Sequence, residues 1–261
     1  MNPMLTPTLV LKGGVEIPRL GLGVYQAARG EETRHAVRIA LELGYRHVDT
    51  ARVYGNEADV GAAVRESGVP RGEVFITTKL PPQQGDARAT LAESLRKLGT
   101  GYVDLWLIHW PTPRRGAAVA LWRDLLALRD EGLARAVGVS NFSTPELDEL
   151  IEATGDTPTV NQIRWGPTLY DPKRVAEHRD RGVVLEGYSP FKSTRLRDRT
   201  LAEIARAHSV TPAQVVLRWH IEHGFVVIPK SARPERIRSN FEVYGFSLSP
   251  DEIARIDGLA G

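Results

Sequence analysis

The chain has 261 residues, of which 42% are hydrophobic and 25% are charged, an ordinary composition for a globular protein. Its formal net charge of +2 is too small to indicate a nucleic-acid partner or a membrane surface. It contains no cysteine, which excludes disulfides, thiolate catalysis and cysteine-based metal sites.

The chain begins MNPMLTPTLVLKGG, which lacks the basic and apolar segments of a secretory signal. No later apolar run approaches the ~20 residues of a membrane span, so we expect a cytoplasmic protein without a membrane partner. Residues 8–18 contain two short strand-like pieces around Gly13 and Gly14, which predicts a β-hairpin.

After the hairpin, short apolar runs alternate about eight times with segments of helical periodicity. The runs are RLGLG, RHVDT, VFITTK, VDLWLIH, ARAVGVS, TVNQI, VVLEGYS and FVVIPK. Such nearly continuous apolar runs are typical of a parallel sheet that is covered on both faces. Several helical segments end in a glycine that suits a left-handed stop, namely Gly44, Gly68, Gly99 and Gly132.

Eight βα units in a chain of this length predict an α/β fold, the (β/α)8 or TIM barrel, as one domain over residues 1–261. Residues 211–224 predict an additional helix before the last strand, and the tail DEIARIDGLAG predicts one more. A doubly wound sheet is the alternative. It usually opens with a glycine-rich phosphate turn, and here Gly21 and Gly23 lack a third glycine at the right spacing.

Nearly every predicted strand ends in polar residues. They are Asp49, Lys79, His109, Ser140, Asn141, Asn161, Gln162, Glu186, Tyr188, Ser189, Lys230 and Ser231. In a barrel these strand ends meet at one mouth, where functional groups gather. A single residue of this kind is more often structural, but the whole set predicts an active site. We expect no metal in it.

Four of the residue types in this region suit carbonyl reduction. A phenol such as that of Tyr54 has a pKa of ~10, and a nearby ammonium lowers it. Lys79 can supply that ammonium, Asp49 can hold it in place, and His109 can orient a carbonyl. Tyr54 is then a candidate general acid. A purely structural ion pair is the other interpretation of Asp49 and Lys79.

Three segments together resemble the aldo-keto reductase superfamily. They are GYRHVDTARVYGNEADVG at 44–61, VDLWLIHWP at 103–111 and VIPKSARPERIRSN at 227–240, supported by GVSNF at 138–142 and VNQI at 160–163. The resemblance extends from about residue 8 to residue 256, and its wording is most similar to bacterial 2,5-diketo-D-gluconate reductases.

The resemblance implies an NADP-dependent oxidoreductase that reduces aldehydes, α-dicarbonyls or keto sugars. Tyr54 would donate the proton, Asp49 and Lys79 would tune Tyr54, and His109 would orient the carbonyl. The substrate would contact Tyr25, Tyr54, His109 and Trp110, although Trp110 is equally open to interpretation as a packing residue.

The resemblance also implies the cofactor contacts. Hydroxyl and amide groups suit the nicotinamide carboxamide, which would be held by Ser140, Asn141 and Gln162. Tyr188 would stack on the nicotinamide ring. The pyrophosphate would lie along Ser189, Pro190 and Phe191, with further cofactor contacts from Gly23, Val24, Tyr25 and Asp49.

At the other end of the cofactor, Lys230, Ser231 and Arg236 would bind the adenosine 2′-phosphate. Two cations and a hydroxyl suit a phosphate dianion better than a ribose, which favours NADPH over NADH. Arg233 and Asn240 would lie near the adenine. For Arg233 and Arg236, a solvated helix face is the other interpretation.

The sequence departs from the family pattern in three places. Leu80-Pro81-Pro82 follows Lys79 where an aromatic residue is common, so we expect a pocket of different shape. Arg164 and Gly166 stand where Glu and His are usual. The loop FKSTRLRDRT is strongly basic, which suits a cofactor clamp, an anionic substrate or, more simply, a solvated loop.

Two other functions compete with a reductase. In a lyase or aldolase barrel Lys79 would form a Schiff base, but Asp49 would raise the pKa of that lysine when catalysis needs it lowered. An NADPH-binding redox sensor without turnover is the second alternative. We expect a monomer whose partner is a small carbonyl compound, without nucleic acid.

Overall fold

The structure is a computed structural model that describes residues 7–81, 86–112 and 116–260. It opens with the predicted hairpin, in which β1 (Thr8–Val10) pairs antiparallel with β2 (Glu16–Pro18). Gly13 and Gly14 form the turn with φ of 93° and 81°, a conformation that glycine adopts without steric cost.

Eight parallel strands of the described chain follow in sequence order around a barrel. They are β3 (Leu22–Gly23), β4 (His47–Asp49), β5 (Phe75–Leu80), β6 (Val103–Ile108), β7 (Ala134–Ser140), β8 (Val160–Arg164), β9 (Val184–Tyr188) and β10 (Val226–Ile228). Isolated bridges from Leu20 to Val227 and from Gly23 to Lys230 join the first and last strands. The sheet is therefore nearly closed, and the predicted (β/α)8 barrel is confirmed.

Helices connect the strands on the outside. They are α1 (Glu31–Leu43), α2 (Glu57–Glu66), α3 (Ala87–Leu98), α4 (Ala117–Asp130), α5 (Thr144–Thr154), α6 (Pro172–Asp180), α7 (Arg199–Ala207), α8 (Pro212–Glu222), α9 (Pro234–Phe241) and α10 (Pro250–Asp257). The additional helix predicted before the last strand is α8, and the predicted tail helix is α10. None of the helices in the described ranges is long and apolar enough to cross a membrane.

The ends of the helices follow local sequence rules. Capping boxes begin α5, α8 and α10, in which a Ser or Thr side chain and a Glu or Gln three residues later satisfy backbone N–H groups. The four glycines predicted as stops all have positive φ, between 67° and 110°. These local signals explain why the helix positions could be read from the sequence.

The hairpin closes the amino-terminal end of the barrel. Leu11, Val15 and Ile17 are buried there in one apolar cluster with barrel residues that include Phe75 and Leu105. Apolar packing at this end excludes water from the barrel interior. The carboxyl-terminal end of the strands is therefore the mouth of the barrel.

Candidate active site

A cavity of about 350 Å³ lies at the mouth of the barrel. Its lining consists of Gly23, Tyr25, Asp49, Val53, Tyr54, His109, Trp110, Ser140, Asn141, Gln162, Tyr188, Ser189, Ile228 and Lys230. All but Val53 and Ile228 are among the residues singled out in the sequence. The strand boundaries differ slightly from prediction, because β5 continues to Leu80, β6 ends at Ile108 and β10 ends at Ile228.

An ion pair lies at the floor of the cavity. The Nζ of Lys79 on β5 donates to both carboxylate oxygens of Asp49 on β4 at 2.7 Å, and to the backbone oxygen of Thr50 at 2.9 Å. The Lys79 side chain is fully buried and Asp49 is almost so. An ammonium has three hydrogens, so all of its donors are used.

Electrostatics keep this lysine charged. Burial lowers the pKa of Lys79, but Asp49, Tyr54 and Glu186 outweigh burial, and the net pKa is raised. For Asp49, burial raises the pKa, and the contacts with Lys79 and Gln162 oppose that effect without cancelling it, so the net direction is upward. An unpaired charge at this depth would be costly, so each member of the pair depends on the other.

Tyr54 stands beside the ion pair at the end of a short 3-10 turn, Arg52–Tyr54. The Nζ of Lys79 lies 5.2 Å from the centre of the Tyr54 ring. Burial raises the pKa of Tyr54 and Lys79 lowers it, with a net upward direction. Lys79 therefore acts in the direction expected from the sequence, but burial has the larger effect on this pKa. Tyr54 is consequently a protonated phenol at neutral pH.

His109 follows β6 and faces Tyr54 edge-on, with ring centres 5.8 Å apart. Burial, assisted by Lys79, lowers the pKa of His109 to about 3. The imidazole is therefore neutral at physiological pH and keeps one N–H for donation. Tyr25 packs against Tyr54 with ring centres 5.0 Å apart, and Trp110 stacks near His109 with ring centres 6.4 Å apart.

The outer part of the cavity is apolar and aromatic. Tyr25, Val53 and Trp110 are each about half exposed, at 52%, 57% and 50%. Exposed aromatic side chains around a concave site commonly form the walls of a ligand pocket. Trp110, for which a packing role was the alternative, lines the cavity. Of the residues after Lys79, Leu80 and Pro81 are buried away from the cavity, and Pro82 lies outside the described residues.

Polar side chains linked by hydrogen bonds form another part of the cavity lining. Tyr188 Oη donates to Asn141 Oδ1 at 2.8 Å, Asn141 Nδ2 donates to Ser140 Oγ at 2.9 Å, and Ser140 Oγ donates to the backbone oxygen of Gln162 at 2.8 Å. Asn141 and Ser189 have positive φ, at 64° and 53°. Non-glycine residues in this conformation store strain and concentrate at functional sites.

The amide nitrogen of Gln162 is bound by two buried carboxyl groups. It donates to Asp49 Oδ2 at 2.8 Å and to Glu186 Oε2 at 3.1 Å. The other oxygen of Glu186 lies 3.7 Å from His47 Nε2. Glu186 was noted in the sequence only as a strand-end residue. A glutamate inside an otherwise apolar strand was the signal that could have identified its place beneath the site.

The predicted 2′-phosphate residues lie beyond the barrel mouth. Lys230 lines the cavity, Ser231 is buried beside it, and Arg233 caps the exposed start of α9. Ser231 Oγ accepts from the backbone nitrogen of Arg233 at 3.2 Å. Arg236 is exposed on α9 while Asn240, one turn later, is buried. Within the described ranges no carboxylate pairs with Lys230, Arg233 or Arg236, so these cations remain available to an anion.

Arg164 and Gly166, which depart from the family pattern, both contact one loop, residues 189–194. Arg164 Nε donates to Ser193 Oγ at 3.1 Å, and its Nη2 donates to the backbone oxygen of Lys192 at 3.1 Å. A Cβ on Gly166 would lie 2.5 Å from the backbone oxygen of Ser193 and 2.9 Å from that of Pro190. Arg164 thus holds the loop, and the missing side chain of Gly166 allows it to approach. The cations of the basic loop at Lys192, Arg195 and Arg197 are exposed.

The sequence model of the aldo/keto reductase family matches residues 19–260. The chain belongs to this family. It is 44% identical to methylglyoxal reductase DkgA from Yersinia pestis, over 98% of this chain and 93% of the relative. It is also 44% identical to morphine 6-dehydrogenase from Pseudomonas putida, over 97% of this chain and 91% of the relative.

Solved structures give the same result. An aldo/keto reductase from Brucella melitensis superposes with a TM-score of 0.92 at 42% identity, covering 97% of this chain and 99% of that one. A Bombyx mori aldo-keto reductase in complex with NADP has a TM-score of 0.91 at 34% identity, covering 98% and 94%. The chain is therefore an aldo-keto reductase, an oxidoreductase of a family that uses a nicotinamide cofactor and acts on carbonyl compounds.

No cluster of metal-binding side chains occurs in the part of the chain that the structure describes. The residues present do fit a nicotinamide dinucleotide. A half-buried tyrosine ring, Tyr188, and a set of amide and hydroxyl groups line the cavity together with Lys230, for which the described ranges contain no carboxylate partner. Each of these groups matches one part of that cofactor.

Proposed function

We propose that this aldo-keto reductase reduces a small aldehyde, α-dicarbonyl or keto sugar to an alcohol, with NADPH preferred over NADH and with Tyr54 as the proton donor. The observation that carries the proposal is the position of a protonated, partly buried Tyr54 beside the Lys79–Asp49 ion pair and a neutral His109 in the lining of one cavity. When bound, the nicotinamide cofactor supplies a hydride to the carbonyl carbon.

The side chains supply the remaining chemistry. The N–H of neutral His109 orients the carbonyl oxygen toward Tyr54. As negative charge develops on that oxygen, Tyr54 transfers its phenolic proton, and the adjacent Lys79 ammonium stabilises the tyrosinate that remains. Asp49 holds Lys79 charged and in position throughout, since both of its oxygens accept from Nζ at 2.7 Å.

We propose that the cofactor lies across the polar side of the cavity. Ser140, Asn141 and Gln162 hold its carboxamide, Tyr188 stacks on its ring, and its pyrophosphate runs along residues 189–191 near Gly23 and Val24. Lys230, Ser231 and Arg236 bind the 2′-phosphate, with Arg233 and Asn240 near the adenine. The absence of a paired carboxylate around these cations in the described chain supports a phosphate ligand.

The substrate end favours uncharged compounds. The residues that form it are aromatic or apolar, namely Tyr25, Val53, Trp110 and the edge of Tyr54. An aromatic aldehyde can stack on such walls, while a small dicarbonyl such as methylglyoxal requires only Tyr54 and His109. The two relatives named for methylglyoxal and morphine are equally identical to this chain, so sequence identity does not choose among substrates.

The first test is NADPH oxidation against benzaldehyde, methylglyoxal and a diketo sugar acid, with Tyr54→Phe beside the wild type. The loss of a general acid costs about 100- to 10,000-fold in rate, so Y54F should lose at least 100-fold in kcat and keep its NADPH Kd within about twofold, because the phenol does not hold the cofactor. Equal rates in the two proteins would exclude Tyr54 as the proton donor. NADPH binding without turnover by the wild type would favour the redox sensor.

Cofactor preference has its own test. Arg236→Ala should raise the KM for NADPH by about 10- to 100-fold, the range expected for a charged hydrogen bond, and should leave the KM for NADH unchanged. Arg238→Ala, on the same helix and also exposed, is the matched control. Equal effects on both cofactors, or equal effects of both variants, would contradict a 2′-phosphate site at Arg236.

The Schiff-base alternative is disfavoured by the geometry. A lysine nucleophile must be a neutral amine, whereas Lys79 has all three N–H groups bound and a raised pKa. Borohydride trapping with a carbonyl compound should therefore leave Lys79 unlabelled.

A further inference from the structure

Gln162 is held from below by two carboxyl groups. Its Nε2 carries two hydrogens, of which one is donated to Asp49 and the other to Glu186. The side chain of Glu186 is fully buried and is not part of the cavity lining. Glu186 can therefore affect a bound molecule only through another residue, and Gln162 is the cavity residue that it contacts.

The two hydrogen bonds determine which end of the Gln162 amide meets a ligand. With both N–H groups directed into the barrel, the carbonyl oxygen Oε1 is the atom left for the cavity. No group in the described residues donates a hydrogen bond to it. The reversed amide would place Oε1 against Asp49 Oδ2, where two acceptors repel. Asp49 alone satisfies only one N–H, and Glu186 supplies the second acceptor.

The protonation state of Glu186 fits this task. Burial, with a further contribution from Asp49, raises the pKa of Glu186 to about 8, so it carries a proton at neutral pH. A protonated carboxyl retains an oxygen that accepts from Gln162. It adds no second negative charge beside Asp49, whose single cationic partner is Lys79 among the described residues. A further neighbour, His47, is neutral because burial lowers its pKa to about 3.

We propose that Glu186 is a positioning residue that orients the Gln162 amide, so that Gln162 presents an acceptor to the carboxamide N–H of the nicotinamide. The inference rests on the proposed cofactor site. Through Gln162, Glu186 would make the site prefer pyridine cofactors whose ring carries a carboxamide N–H over cofactors that lack this donor.

The test compares NADPH with its reduced 3-acetylpyridine analogue, which keeps the 2′-phosphate and lacks the carboxamide N–H. Dissociation constants are measured by fluorescence titration without a carbonyl substrate. One hydrogen bond contributes roughly 1 kcal/mol, so the wild type should bind NADPH about 5- to 10-fold more tightly than the analogue. Glu186→Leu should reduce this ratio to about twofold or less, because one Gln162 N–H then has no acceptor and the amide is free to rotate.

Two further variants separate the positioning role of Glu186 from a non-specific effect of replacing a buried carboxyl group. Glu186→Gln keeps an acceptor for Gln162 and should retain most of the ratio. Glu57→Gln changes another buried carboxyl group, which accepts from Thr78 at 2.7 Å outside the cavity, and should leave the ratio unchanged. If E186L does not fold, Glu186→Ala replaces it, since alanine also cannot reach Gln162.

The outcomes are distinct. A wild-type ratio near one, or an unchanged ratio in E186L or E186A, overturns the positioning role. If the wild type fails to bind NADPH, both this inference and the proposed function fall. If the wild type discriminates as expected and loses discrimination in E186L but reduces no carbonyl, the positioning role stands and only the reductase function is overturned.

Discussion

Replacing Lys79 by Met removes a buried cation and leaves its partner without compensation. Lys79 is fully buried and makes three hydrogen bonds of 2.7, 2.7 and 2.9 Å, two of them to Asp49. Breaking a buried pair by removing one partner costs roughly 3–5 kcal/mol. We expect K79M to lose about 3 kcal/mol of unfolding free energy, toward the lower end because Asp49 keeps the hydrogen bond from Gln162.

The double variant measures the coupling between Asp49 and Lys79. Asp49→Asn alone should cost about as much as K79M, because it leaves an uncompensated ammonium. D49N with K79M removes both charges, so its loss should be smaller than the sum of the two single losses by about 2–3 kcal/mol. The measurement is urea unfolding at pH 7, with the fluorescence of the five tryptophans as the signal. Losses that add within ~0.5 kcal/mol would refute a coupled buried pair.

The pH dependence gives an independent check on the same variant. Burial raises the pKa of Asp49, and removing Lys79 removes the main opposing effect. The folded K79M protein then holds a proton that the unfolded chain has released, so its stability falls as the pH rises. The destabilisation of K79M relative to the wild type should therefore be larger at pH 8 than at pH 5, and a constant difference would contradict this reasoning.

Two further predictions concern neighbouring features. In the wild type, Glu186 has a pKa of about 8 when folded and about 4.5 in the unfolded chain, so its contribution to stability is complete below pH 4.5 and is lost toward pH 8, by roughly 3–5 kcal/mol. In urea unfolding, Glu186→Gln should therefore gain stability relative to the wild type as the pH rises from 4.5 to 8. Plots of unfolding free energy against pH that stay parallel for the two proteins would contradict a protonated Glu186 in the folded state. Gly166→Ala should displace the loop and weaken NADPH binding about 10-fold or more, because its Cβ would meet the Ser193 oxygen at 2.5 Å, an overpacking that costs about 1–3 kcal/mol. Gly72→Ala, which meets nothing within 4 Å, is the control, and equal Kd values for the two alanine variants would refute this role of Gly166.

The local elements of this protein could be predicted from the sequence because their causes are local. Alternation of apolar runs with helical periodicity, glycine stops such as Gly44 and Gly99, and capping residues such as Ser249 act over a few neighbouring positions. The barrel fold could be predicted from the number of βα units, which is eight. The polar strand ends could be collected into one mouth because parallel strands of a closed sheet all end on the same side.

What the tertiary structure alone decided is how those side chains share protons and hydrogen bonds. Lys79 lowers the pKa of Tyr54, as its residue type predicts, but burial has the larger effect and no sequence pattern measures burial. The link from Gln162 to Glu186 joins positions 24 residues apart on adjacent strands. The contacts of Arg164 with residues 192 and 193 likewise cross from one strand end to the next loop.

The physical reason is the range of the interactions. Propensity, capping and periodicity depend on near neighbours along the chain, so the sequence by itself determined the elements, their order and the residue types at the mouth of the barrel. Desolvation and the choice of hydrogen-bond partner depend on every atom within a few ångströms, including atoms from distant segments. Whether Glu186 is charged, and which end of Gln162 meets a ligand, were therefore decided only when the barrel closed around them.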